Sequence, residues 1–154
     1  MRLVVRVLLA CAVPASAADS SEQKDVIAAA QKLFDAMSAH DGDAARAAML
    51  PNLQLTSVGK DGKVSTTTGE QFATHLGQIT KPMLERMWEP KVLIRGRLAQ
   101  LWAEYDFHLD GKFSHCGVDV FTLAKTPDGW KIAAVADTRE TEGCTPSPLG
   151  PPGK

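Results

Sequence analysis

The chain lacks an excess of either charge and lacks any long uninterrupted apolar run. Its 17 basic and 18 acidic residues leave a net charge of −1, so there is no broad electrostatic footprint for nucleic acid or an anionic membrane. The apolar segment from Leu3 to Val13 is interrupted by Arg6 and is too short to cross a bilayer, so no stable membrane insertion is expected. No HExxH or CxxC spacing occurs, and no Gly-rich phosphate loop. These absences remove the usual sequence grounds for a metal or nucleotide cofactor, and none is expected. There is no internal repeat and no linker between domains. Cysteine is scarce, with 3 residues in 154.

What is present at the start is a targeting pattern. Met1-Arg2 gives a positive start, an apolar stretch follows, and Ala15-Ser16-Ala17 supplies small residues for cleavage. Residues 1–18 are therefore expected to leave as a signal peptide, placing the mature protein in the periplasm or outside the cell. Leu8-Leu9-Ala10-Cys11 only loosely resembles a lipoprotein box, and Arg6 lies too close to it. Removing the signal leaves Cys116 and Cys144. An even count in an exported chain points to a disulfide between them. The remainder reads as one domain over 19–144, followed by a Pro- and Gly-rich tail over 145–154 that is expected to be disordered.

The informative stretch runs from Leu98 to Thr138. Asp110-Gly111 and Thr126-Pro127-Asp128-Gly129 join three alternating runs into an antiparallel meander. With Asp110-Gly111 at the hairpin tip, Asp106 opposes His115 and Trp102 opposes Asp119. Alternation then puts Trp102, Glu104, Asp106 and His108 on one face with His115, Asp119, Phe121, Leu123, Trp130 and Ile132. The other face carries Leu101, Ala103, Tyr105, Phe107, Val118 and Val120. A single bulge exchanges these faces for half of the side chains, and only then does Tyr105 turn inward. In the same register Cys116 opposes Arg139, and a turn at Gly143 returns Cys144 to it.

Before the meander, Ser20 to Gln23 reads as a helix cap, and Val26, Ile27, Ala30, Leu33, Phe34 and Met37 recur at helical spacing. Gly42 is the expected stop, with His40 in the last turn. Asp43 is expected to cap a short second helix ended by Pro51. Leu53–Val58 and Val64–Thr68 read as a hairpin, and Thr68 with Gln71 caps a third helix carrying Phe72, Leu76 and Ile79. His75 lies beside that stripe. Glu85 to Arg97 opens the long sheet, with Trp88, Val92 and Ile94 on one face and Pro90 signalling an edge or a bulge.

This order of helices, short hairpin, helix and long meander resembles the nuclear transport factor 2-like superfamily. Trp88-Glu89-Pro90, Tyr105-Asp106-Phe107, Ser114 to Asp119, Gly129-Trp130-Lys131-Ile132 and Asp137-Thr138 resemble its exported bacterial branch, often labelled lumazine-binding, a label that establishes no ligand. The resemblance implies an α+β cone, with three N-terminal helices packed on a curved antiparallel sheet around a pocket. It transfers no catalytic residue, because the superfamily holds both enzymes and binders.

The expected pocket face is apolar at one end and polar at the other. Trp102, Phe121 and Trp130 would line its floor, and Asp106, His115 and Asp119 would orient polar atoms of a small-molecule ligand. Asp106 beside His115 also suits acid–base chemistry of an isomerase or dehydratase type, with those two as candidate catalytic residues. Asp106, His108 and His115 share this face without metal-motif spacing, and no metal is assigned. Ser114 points away from His115 in an unbulged strand, which argues against a hydrolase triad. A non-catalytic homodimer is the third reading, since the second apolar face needs a cover.

Overall fold

The structure, a computed structural model, describes residues 17–152. Three helices and six strands follow in the order α1 (Ala17–Ala39), α2 (Gly42–Ala48), β1 (Met49–Gly59), β2 (Val64–Thr68), α3 (Gly69–Leu76), β3 (Met83–Arg95), β4 (Leu98–Leu109), β5 (Lys112–Thr126) and β6 (Gly129–Arg139). The signal segment expected over 1–18 lies outside the described residues except for Ala17 and Ala18, which open α1. Ser20 therefore sits within the helix and is not its cap.

The apolar stripe of α1 behaves as its spacing predicts. Val26, Ala30, Leu33, Phe34 and Met37 are all buried against the sheet. Phe34 meets Phe121 edge-on with ring centroids 5.8 Å apart, a contact worth about 1 kcal/mol beyond its buried area. The helix ends earlier than Gly42. His40 takes the left-handed position with φ 54°, while the Asp41 N–H bonds Ala36 O at 2.9 Å and the His40 N–H bonds Met37 O at 3.1 Å. This double closure satisfies two of the last free carbonyls of α1. It frees Asp41, not Asp43, to cap α2, its Oδ1 accepting from the Ala44 N–H. The capping box at α3 forms as read, with Thr68 and Gln71 bonding each other's backbone N–H. His75 is exposed on that helix.

The six strands make one curved sheet in the order β2-β1-β6-β5-β4-β3. All neighbours are antiparallel except β1 and β6, which run parallel. The pairing breaks register at four places, one of them between Met49 and Gln54 of β1, and the other three set the faces of the long strands. In β5, Ser114 is an extra residue, so His108 still opposes Phe113 but Phe107 opposes His115 and Asp106 opposes Cys116. In β6, Ala133 is extra, so Thr122 opposes Ala134 and Asp119 opposes Asp137. In β3 the break falls at Glu89-Pro90, where Glu89 has φ 49°. Each added residue turns the following side chains over.

The expected register is therefore corrected by one residue. The inner face, under α1, holds Leu101, Ala103, Tyr105 and Phe107 with His115, Asp119 and Phe121. Trp102, Glu104, Asp106 and His108 lie on the outer face. Trp88 also faces outward, because the Glu89-Pro90 bulge separates it from Val92 and Ile94.

A disulfide joins Cys116 to Cys144 with Cα atoms 5.9 Å apart. The strand residue opposite Cys116 is Glu140, one beyond the expected Arg139. Farther along, the Gly150 carbonyl accepts from Arg86 Nη1 on the outer face at 2.9 Å. Among the described residues no helix is long and apolar enough to cross a membrane.

Candidate functional site

A cavity of about 60 Å³ lies between α1, α3 and the inner face of the sheet. At about 10–15 Å³ per water measured this way, it has room for roughly four waters or a four- to five-atom organic group. Its floor is apolar and comes from Leu33, Phe34 and Met37 of α1, Phe121 of β5 and Val135 of β6, with Leu55 and Phe72 at its side. Its other wall is polar, built from Glu85, Tyr105, His115, Asp119, Asp137 and Arg139. A wider groove of about 700 Å³ runs between α1, α2 and the β5–β6 turn. That groove is lined by alanines and Trp130, and its charged side chains stand at the surface. The titratable cluster sits in the smaller cavity.

The strand geometry explains why these groups meet. Glu85 opposes Phe107, Phe107 opposes His115, and Asp119 opposes Asp137. Alternation then aims Glu85, Tyr105, His115, Asp119 and Asp137 at one hollow. Gly117, between His115 and Asp119, has no side chain to offer. A Cβ there would lie 2.1 Å from Thr138 O, so this glycine permits the close approach of β5 and β6.

Asp119 is the most enclosed member, only 2% exposed. Its Oδ2 is buried and receives no hydrogen bond among the described residues. Its carboxyl lies against that of Glu85, which is half-buried, and two carboxyls bond only if one keeps a proton. Burial raises the Glu85 pKa to about 7, with Asp137 adding to the rise and the Asp119 contact opposing it. Burial, then the Glu85 charge, lifts Asp119 well above the carboxylate range. At neutral pH the pair holds a proton that a solvated pair would have lost.

The other polar groups are fixed by partners. Tyr105, 1% exposed, donates its hydroxyl proton to Thr138 O at 2.8 Å. Burial, then the carboxylates of Asp137 and Asp119, pushes its pKa far up, so it stays a phenol. Asp137 accepts from Ser57 Oγ at 2.6 Å and from Arg139 Nε at 3.0 Å. His115 packs at 5.0 Å from the Phe107 ring centroid and 5.8 Å from that of Tyr105. Its Nδ1 is 3.0 Å from Ser114 Oγ. Burial, and next the Arg139 charge, lowers its pKa to about 4, so the ring is neutral at pH 7.

No family model matches the chain, and no curated protein matches its sequence. Solved structures do match. A protein of unknown function from Mycobacterium tuberculosis superposes with a TM-score of 0.68 at 13% identity, covering 80% of this chain and 79% of that one. A nuclear transport factor 2-like protein of unknown function from Shewanella baltica OS155 gives a TM-score of 0.62 at 15% identity, over 80% of this chain and 97% of that one. A superfamily protein from Salmonella enterica serovar Typhimurium gives 0.62 at 15% identity, over 82% and 96%. The chain has the nuclear transport factor 2-like fold. Identities this low establish the fold and nothing of the chemistry.

Within this fold, His115, Asp119 and Phe121 line the cavity. Trp130 is buried but lines the alanine groove instead. Trp102 and Asp106 stand on the outer face, Trp102 beneath the Lys91 ammonium at 4.9 Å. Asp106 cannot pair with His115. Arg86 Nε reaches its Oδ1 at 2.9 Å and Nη2 its Oδ2. Burial opposes ionisation of Asp106, but these bonds outweigh it and hold its pKa below the usual range. His108 Nε2 lies 3.5 Å from Asp106 Oδ2 on that same outer face, so the trio of Asp106, His108 and His115 does not converge. The sequence reading missed Glu85 on β3, and Asp137 and Arg139 on β6, where the extra Ala133 shifts the register it expected.

Proposed function

We propose that this is an exported binding protein that holds a small, partly apolar molecule in the cavity under α1. The observation that carries the reading is Asp119. A carboxyl 2% exposed, with a buried oxygen that receives no hydrogen bond among the described residues, faces a hollow whose opposite wall is Phe34, Phe121, Met37 and Val135. Leaving such an acceptor unmatched costs about 1–3 kcal/mol, which a ligand donor would recover. The apolar wall supplies the remaining affinity by burial. Export is supported by the charged and apolar start of the sequence and by the Cys116–Cys144 bridge. Thermal unfolding of the mature chain, residues 19–154, in the presence of a broad panel of metabolites of about four to six heavy atoms tests the reading. A ligand that raises the midpoint for the wild type and not for Asp119→Asn is the expected result. No shift with any compound, in either protein, removes it.

A second reading has one observation in its favour. Glu85, with its pKa near 7 beside a protonated Asp119, is poised to take and return a proton at neutral pH. In that acid–base enzyme Glu85 and Asp119 would act in place of Asp106 and His115. Turnover by Glu85→Gln equal to wild type on a substrate found in the panel excludes it. Pairing of two copies through the outer face is the third. Leu93 there is 72% exposed, with Trp102, Val118 and Val120 half-buried. A monomeric sedimentation mass at micromolar concentration excludes pairing.

A further inference from the structure

We infer that the cavity selects organic cations, namely short primary amines with an apolar body, over neutral and anionic molecules of the same shape. The inference rests on the binding reading above and names the class of ligand.

Three observations converge on it. The first is the charge set around the hollow. Three carboxyls face it, on Glu85, Asp119 and Asp137, against one guanidinium, Arg139. That guanidinium is bound to Asp137 at 3.0 Å and is half exposed at the rim. Among the described residues no cation bonds the Glu85–Asp119 pair, and Arg139 acts on it only at a distance. His115 supplies none either, since its ring sits among Phe107, Tyr105 and Ser114. Tyr105 gives its one proton to Thr138 O.

The second is the unmatched acceptor. Asp119 lines the hollow, and its buried Oδ2 receives no hydrogen bond among the described residues. An ammonium has three donors and no acceptor, so it can satisfy this oxygen and the Glu85 carboxyl together. A carboxylate ligand would add a further negative charge to this acidic wall. An alcohol offers one donor only.

The third is shape. The apolar wall of Leu33, Phe34, Met37, Phe121 and Val135 faces the carboxyl pair across about 60 Å³. A chain of about four carbons ending in nitrogen fills that volume with its head on the carboxyls. Among the described residues no set of three or more His, Cys, Asp or Glu is arranged to hold a metal ion, so a bare divalent ion is a poor rival.

Binding an ammonium between the two carboxyls displaces the proton they keep. The amine arrives already protonated, and one proton leaves to buffer. Affinity should therefore rise as pH increases from 5.5 to 8, in the direction set by the raised carboxyl pKa values.

The test is calorimetric titration of the mature protein with n-butylamine, 1-butanol and butyrate at pH 7, in two buffers of different ionisation enthalpy. The expected result is binding of n-butylamine at least tenfold tighter than of 1-butanol, no binding of butyrate, and proton release to buffer. Asp119→Asn and Glu85→Gln should each weaken the amine at least tenfold and abolish the release. 1-Butanol or butyrate binding as tightly as the amine overturns the cation inference and leaves the binding reading standing. Amine binding unchanged in both variants overturns it as well. No binding of any of the three overturns it too. The binding reading itself falls only if the metabolite panel is also silent.

Discussion

Glu85→Gln should alter the shape of the stability curve against pH more than its height. Burial holds the Glu85 carboxyl up from its ordinary 4.5 to about 7, so the native chain keeps a proton that the unfolded chain has released. This contribution is complete below pH 4.5 and is lost as pH rises through 7, about 3 kcal/mol at about 1.4 kcal/mol per unit. His115 works in the opposite sense. Its pKa falls from 6.5 to about 4, so its contribution is complete above pH 6.5 and is lost as pH falls through 4, again about 3 kcal/mol. Between pH 4.5 and 6.5 the native site holds protons on Glu85 and Asp119, and the unfolded site holds one on His115. The Glu85 and His115 slopes cancel there, and the Asp119 proton leaves a net loss. For this site the wild type should lose stability from pH 4.5 toward pH 8. Glu85→Gln removes one arm, so relative to the wild type it should gain about 3 kcal/mol from pH 4.5 to 6.5. His115→Gln should show the mirror image, a steeper loss than the wild type across the same window. Urea unfolding followed by tryptophan fluorescence in half-unit pH steps at fixed ionic strength reads these curves. If both variants run parallel to the wild type, the buried proton on Glu85 and the neutral His115 are refuted.

Other outcomes follow from the same geometry. Gly117→Ala must force Thr138 O away from a Cβ at 2.1 Å, and a loss of about 3 kcal/mol in urea unfolding is expected. A loss under 1 kcal/mol would count against the close β5–β6 approach. Replacing Cys116 and Cys144 together by serine opens a loop of 28 residues and should cost about 3–4 kcal/mol in the chain-entropy account. The same downward shift should appear on reducing the wild type, and an unchanged midpoint would argue against the bridge. Asp106→Asn leaves the Arg86 guanidinium 14% exposed without its anion and should cost about 3–5 kcal/mol. The Asp106 carboxyl has a lowered pKa, so its contribution is present above pH 4 and fades as pH falls below. The double variant Arg86→Met, Asp106→Leu should recover most of the loss, and no recovery would contradict the pairing.

The elements were more legible in the sequence than the faces. The stripe Val26, Ala30, Leu33, Phe34 and Met37, the capping box at Thr68 and the turn at Asp110-Gly111 are local signals with local causes, and each reads correctly. The bulges at Ser114 and Ala133 have no such signal. Each is a feature of how a strand pairs with its neighbour, which the strand's own sequence does not record. Because of them, Asp119 and His115 share a face with Tyr105 and not with Asp106. Glu85 was beyond reach for the same reason, since its place beside Asp119 depends on β3, β4 and β5 being aligned at once. Pro90 did mark the β3 irregularity. Gly117, within Cys116-Gly117-Val118, was a readable hint of close backbone approach that pointed to β6. The parallel pairing of β1 with β6 joins segments about 80 residues apart, and no local pattern encodes it.

The claim on which the rest depends is that two carboxyls share a proton inside this hollow. Carbon-detected NMR of the side-chain carboxyls of Glu85 and Asp119, titrated from pH 3 to 9, tests it directly. The account predicts that Glu85 titrates near pH 7 and that Asp119 is also displaced upward, with the two curves coupled. Independent titration of both groups near pH 4, as for solvated carboxyls, would contradict it.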